Sequence, residues 1–138
     1  MFDVLEHLED DSKCLEVIRT RLLNDGGSLV LTVPAYMWLW SNHDLSHDHL
    51  RRYSRSGLIK LLKEAGYKNV RISYFFTLLF PLGMIERALG KIFHLNAGMK
   101  LPNRVINFIF GCVCGLEVWL IKFINLSYGM SLIVIAER

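Results

Sequence analysis

The chain has 138 residues, is 52% hydrophobic and 21% charged, and carries a formal charge of +3 with a mean hydropathy of +0.30. So much apolar side chain excludes a disordered tail, a collagen-like repeat or a low-complexity linker, and the length fits one domain or a piece of a larger one. A charge of +3 is too weak an electrostatic footprint for a nucleic-acid binder.

Three cysteines, Cys14, Cys112 and Cys114, form no paired motif, as expected for a reducing compartment. Residues 1–26 hold seven acids against three bases, the reverse of a signal peptide's basic leader, so a cytoplasmic chain is expected. Residues 2–8 read as the end of a strand followed by a turn. Asp10, Asp11 and Ser12 offer N-caps, and Leu15, Ile18, Leu22 and Leu23 recur at helical spacing, which predicts a helix over 12–24. Gly26 and Gly27 end it. Residues 28–33 form a β-branched run that stops at Pro34, a buried strand.

Residues 35–53 lack periodicity and mix Tyr36, Trp38 and Trp40 with His43, Asp44, His47, Asp48 and His49, then Arg51, Arg52 and Tyr53. An irregular stretch of that length in a compact domain is more often functional than incidental. Ser54 caps a second helix that ends at Gly66, and 69–76 reads as a strand. Residues 78–94 and 104–126 read as apolar helices, and 128–137 closes the chain as a strand.

Alternating strands and helices imply an α/β layered sheet, and such a sheet binds ligands beyond the carboxyl ends of its strands. The segments 3–11 and 34–53 both follow strands and are expected at that edge. The apolar stretches 72–85 and 105–116 run 14 and 12 residues, short of the ~18 that a spanning helix needs. Attachment at a membrane surface is expected over spanning, at the inner face if the chain is cytoplasmic.

Three motifs carry a family resemblance. Asp3-Val-Leu-Glu-His-Leu-Glu-Asp-Asp11 resembles the segment after strand four of class I S-adenosylmethionine-dependent methyltransferases. Arg21-Leu-Leu-Asn-Asp-Gly-Gly-Ser-Leu-Val-Leu-Thr-Val-Pro-Ala35 resembles their helix, Gly-Gly turn and fifth strand, and Leu61-Leu-Lys-Glu-Ala-Gly-Tyr67 the helix before strand six. Trp38-Leu-Trp-Ser-Asn-His-Asp44 and His49-Leu-Arg-Arg-Tyr53 look like a bacterial subgroup of the same superfamily. The resemblance implies the C-terminal part of a Rossmann-like methyltransferase sheet: 1–76 runs from the end of strand four to strand six, 77–127 is an apolar helical insertion, and 128–138 is the final strand. The glycine-rich cofactor turn (G-x-G-x-G) and the ribose-binding acid of the family do not occur in this sequence. The chain alone is therefore expected to bind S-adenosylmethionine weakly at best and to be inactive.

By the resemblance, Phe2 and Asp3 lie against the cofactor, and Glu6 and His7 face the reacting centre. Glu6 and His7 equally suit capping of the next helix. The spacing of Asp3, Glu6 and His7 is similar to an acid-x-x-Glu-His segment that ubiquinone-type O-methyltransferases associate with a divalent cation, and three histidines in 43–49 invite a zinc reading. Neither spacing is specific enough to assign a metal, and no metal site is expected. His7, His49 and Tyr53 are the candidate catalytic residues, since an imidazole with its ordinary pKa near ~6.5 suits general-base work. His43, Asp44 and Arg52 are the candidate substrate-binding residues, Arg52 as a clamp for phosphate or carboxylate.

The expected reaction is methyl transfer to a small, lipophilic or phosphate-bearing acceptor. The competing class is a non-catalytic, membrane-peripheral or interaction protein built on a methyltransferase remnant. Glu117, inside an apolar stretch, needs a partner such as Arg104 or Lys122 if it is buried. The uncovered edge of a partial sheet is expected to drive self-association.

Overall fold

The computed structural model describes residues 1–81, 83–85 and 103–138. Asp10 accepts a hydrogen bond from the Lys13 N–H at 2.9 Å and so starts helix α1, Asp11–Val17, which widens into a π-helical turn over Ile18–Leu22. Strand β1, Ser28–Pro34, follows the glycine turn. Pro34 is tolerated as its last residue, where the ladder ends.

The 35–53 segment is more ordered than its composition suggests. A single 3-10 turn, Met37–Leu39, precedes a short helix α2, Asn42–Ser46. Ser54 accepts the Gly57 N–H at 3.1 Å and starts α3, Arg55–Glu64, and Gly66 leaves it at φ +86°, a conformation natural to glycine. Strand β2 is Lys68–Phe75, helix α4 is Arg104–Ile121 and strand β3 is Ser131–Glu137. The last strand starts at Ser131 and not at 128, and Gly129 before it packs onto the Phe75 backbone, where a Cβ would collide. The expected helix at 78–94 falls largely on residues 82 and 86–102, outside the described residues.

The sheet order is β1-β3-β2, with β3 antiparallel to both neighbours. β1 and β2 are therefore parallel, and their carboxyl ends, Pro34 and Phe75, share one edge. Phe2 adds a parallel bridge to Thr32, with the Thr32 N–H on the Met1 carbonyl and the Asp3 N–H on the Thr32 carbonyl, each at 3.1 Å. The chain thus begins as a strand end beside β1 and covers part of its outer edge. Leu31, Val33, Leu132 and Val134 on one sheet face pack with Leu5, Leu15, Leu58 and Leu62 into the core. On the other face Val30 and Ile135 stay partly exposed.

Helix α4 is held differently. Asn103 caps it through the Val105 N–H, and only 6% of its length is buried. By length and composition it is the one helix among the described residues able to cross a membrane. Glu117 is fully buried, and Arg104 and Lys122 are not its partners: its Oε1 accepts the N–H groups of Thr77 and Leu78, just past β2. The Thr77 hydroxyl in turn donates to the Tyr128 carbonyl. A carboxylate thus ends the local strand and fastens the helix to it. Glu117→Leu is expected to destabilise the fold by about 1–3 kcal/mol, by leaving the buried Thr77 N–H and the partly buried Leu78 N–H without their acceptor. Glu117→Gln keeps an acceptor and should lose less, as read from urea midpoints.

Candidate functional site

The two segments that follow strands do meet. The Leu50 N–H donates to the Glu6 carbonyl at 2.8 Å, and the Tyr53 N–H donates to the Pro34 carbonyl at 2.9 Å. These bonds fold the 35–53 segment back over the 3-10 turn Leu5–His7. The His7 and His49 rings then sit edge to face, with centroids 4.8 Å apart.

Asp44 organises the segment. It is fully buried, and it is the third residue of α2, so its carboxylate reaches back to the Ser41 N–H at 2.8 Å. Arg52 grips the same carboxylate with two parallel bonds, Nε at 2.7 Å and Nη2 at 3.1 Å, while its Nη1 donates to the Ala35 carbonyl. His49 Nδ1 lies 3.0 Å from Asp44 Oδ1. Burial pulls the Asp44 carboxyl upward, but the Arg52 hydrogen bonds and charge, the Ser41 N–H and His49 outweigh it and hold the carboxyl at about 2. An ionised carboxylate only accepts, so His49 donates from Nδ1, and the neutral ring then has its lone pair on Nε2. His7 Nδ1 faces the Asp48 carbonyl at 3.2 Å, with the same consequence for its Nε2.

Glu6 completes the group. Its side chain is fully buried and neither carboxylate oxygen has a hydrogen-bond partner among the described residues. Burial pushes its carboxyl up, as does the charge of Asp3, against the pull of its own backbone and the two imidazoles. Glu6, His7 and His49 each bring a ligand atom to within 4.8 Å of the others. A buried, unpartnered carboxylate beside two imidazoles is a donor set that could hold a divalent cation. Asp3 does not share in it, since its carboxylate accepts from the Thr32 hydroxyl at 3.0 Å. Nor do the loop histidines converge: His47 Nδ1 turns to the His43 carbonyl at 2.9 Å, and the His43 and His47 rings lie against each other.

The other predicted residues fall around this group. The Tyr53 hydroxyl is buried, donating to Asp11 at 2.9 Å and lying 3.3 Å from the Leu5 carbonyl, and burial and the Asp11 carboxylate push the phenol far up. Arg51 pairs with Asp11 as well, at 3.2 Å. Phe2 and Asp3 sit at the carboxyl edge, with the Phe2 side chain exposed. An aromatic cluster that the sequence did not single out as a site lies past the end of β1. Tyr36 stacks on Tyr74, and Phe80 touches Tyr36, Trp38 and Tyr128. Tyr36 sits at φ +58°, a strained conformation for an aromatic residue. Its signals in the sequence were the aromatics directly after Pro34 and Phe80 among the aromatics of the apolar insertion.

The Asp44 pairing has a pH signature. Its folded value of about 2 lies below the ordinary 3.8, so its stabilisation is fully present above that value and is lost as pH falls through about 2. Urea unfolding should show native stability falling by about 2 kcal/mol more than that of Asp44→Asn over this acid range.

The family described as "Methyltransferase domain" matches residues 1–72. None of the curated proteins compared with the chain matches it. Among solved structures, a SAM-dependent methyltransferase from Archaeoglobus fulgidus superposes with a TM-score of 0.55 at 14% identity, over 100% of this chain and 57% of that one. Phosphoethanolamine N-methyltransferase 2 of Haemonchus contortus, in complex with S-adenosyl-L-methionine, superposes with a TM-score of 0.54 at 15% identity, over 99% of this chain and 32% of that one. The chain thus spans about half the length of the first and a third of the second. At these identities the likeness speaks for the fold alone. With the match over 1–72, it follows that the chain belongs to the class I S-adenosylmethionine-dependent methyltransferase family.

Proposed function

We propose that this chain is the acceptor-side portion of an S-adenosylmethionine-dependent methyltransferase, acting on an oxygen, nitrogen or carbon of a small acceptor. The observation that carries the reading is the Arg52–Asp44–His49 relay, which orients the His49 ring beside His7 near the carboxyl edge of the sheet. Methyl transfer is an in-line displacement in which the acceptor's lone pair forms a bond to the methyl carbon while the carbon–sulfur pair leaves with sulfur. S-adenosylmethionine, when bound, supplies the electrophilic methyl group. His49 takes the acceptor's O–H or N–H proton, and the Asp44 carboxylate stabilises the imidazolium that results. Arg52 keeps Asp44 ionised. Tyr53 and Arg51 act by position, tying the segment to Asp11.

Two features bear on the acceptor. The Arg52 charge is committed to Asp44, so recognition of a phosphate by Arg52 loses ground. Tyr36, Trp38, Phe80 and Tyr128 instead wall the edge with apolar surface, which suits a lipophilic acceptor. Phe2, 63% exposed at the same edge, offers a face to the cofactor. The cofactor's glycine turn is not in this sequence, so the chain on its own should bind weakly. Amide NMR with S-adenosylhomocysteine raised to millimolar levels is expected to move Phe2, Asp3 and His7 selectively. No shift at that edge, in a chain whose spectrum shows it folded, would remove the reading.

A second reading, favoured by the orphaned Glu6 carboxylate, places a divalent cation on Glu6, His7 and His49. Two imidazoles with one carboxylate suit Mn²⁺, Fe²⁺ or Zn²⁺ better than Mg²⁺. Such an ion would polarise an acceptor oxygen, with His49 then serving as ligand in place of base. Calorimetric titration with Mn²⁺ and with Zn²⁺ should find one ion per chain, abolished by His7→Ala. Absence of binding to the native chain at neutral pH would leave His49 as the base.

A further inference from the structure

We propose that α4 lies in the interface of an anionic lipid bilayer, parallel to its surface, and that this contact is independent of the methyl-transfer reading. At 3.6 residues per turn, Val105, Phe108, Ile109, Cys112, Leu116 and Trp119 form one stripe, and it runs along the side of the helix opposite Glu117. All six are exposed, Phe108 at 72% and Val105 at 63%. Soluble surface helices turn such a stripe inward. Here Glu117 fixes the opposite side to the Thr77 and Leu78 N–H groups, so the stripe faces outward by construction.

The charges identify the occupant as lipid. Glu117 is the sole acid on the helix and is buried. Arg104 and Lys122, exposed and outside any ion pair among the described residues, bracket the apolar run. They are 18 residues apart, five whole turns or about 27 Å, so both project from the same side of the helix at the flank of the stripe. An apolar stripe edged by two cations on one flank matches acyl chains below and anionic phosphates beside them. A helix that spanned the bilayer would need lipid on its Glu117 side as well, where the domain is fastened.

Flotation of the native chain with phosphatidylcholine vesicles, with and without phosphatidylglycerol, tests the assignment. The chain should float, and more strongly with phosphatidylglycerol. Phe108→Glu with Trp119→Glu alters two exposed side chains, leaves the Glu117 anchor in place, and should weaken flotation at least about tenfold. Arg104→Glu with Lys122→Glu should abolish the preference for phosphatidylglycerol. In a Cys14→Ser, Cys114→Ser background, vesicles should protect Cys112 from a membrane-impermeant maleimide. Native chain that does not float, or a Phe108→Glu/Trp119→Glu chain that floats as well as native, overturns the proposal. So does protection of Cys112 that grows with protein concentration without vesicles, which would assign the stripe to a second copy.

Discussion

The buried Arg52–Asp44 pair is the constraint on which the candidate site depends. An ionised carboxylate with no exposure is costly unless every lone pair is used, and here Arg52, the Ser41 N–H and His49 use them. Because Asp44 has these partners in three different stretches of the segment, satisfying it fixes the path of 41–52 as a unit. The same carboxylate selects the His49 tautomer. Removing either member of the pair would strand the other charge in the interior, so the arrangement is all-or-none.

The site and the core are coupled through backbone pairing. Tyr53 bridges Ala35 in parallel register and Leu50 donates to Glu6, so the segment is stitched at both ends to the carboxyl edge of β1 and to the turn after the first strand end. Tyr53 then reaches across with its hydroxyl to Asp11 at the start of α1. The site histidines are thereby carried on a rigid frame although no long element holds them. What stays open is the Glu6 carboxylate, buried without a partner, and unsatisfied groups of that kind persist where something else completes them.

A second buried carboxylate solves a different problem. Glu117 interrupts an apolar helix and would be unfavourable inside a core, yet its Oε1 accepts two backbone N–H groups that β2 leaves unpaired past its end, while its Oε2 has no partner among the described residues. The outcome is a helix fastened at one side with its apolar stripe turned outward, an arrangement that the packing of the sheet domain alone does not explain.

The strands, the caps at Asp10 and Ser54 and the shared edge of the two loops were legible in the sequence, because each rests on local signals: β-branched runs, capping side chains and the rule that α/β sheets bind at carboxyl ends. The family was legible too, from motifs carried over 3–67. The partners of the polar residues were not. Arg52 and Asp44 read as substrate ligands and are each other's counter-ions, the Tyr53 hydroxyl is spent on Asp11, and Glu117 pairs with backbone rather than with Arg104 or Lys122. Residues 41–53 carry more charges and hydrogen-bonding groups than any spacing rule can pair, and which pairs form depends on which groups are desolvated together. Composition and periodicity determined the elements and the edge that carries the candidate site; only the tertiary structure decided which histidine is oriented, which carboxylate is left open and which side of the apolar helix faces out, because burial is a property of the whole fold.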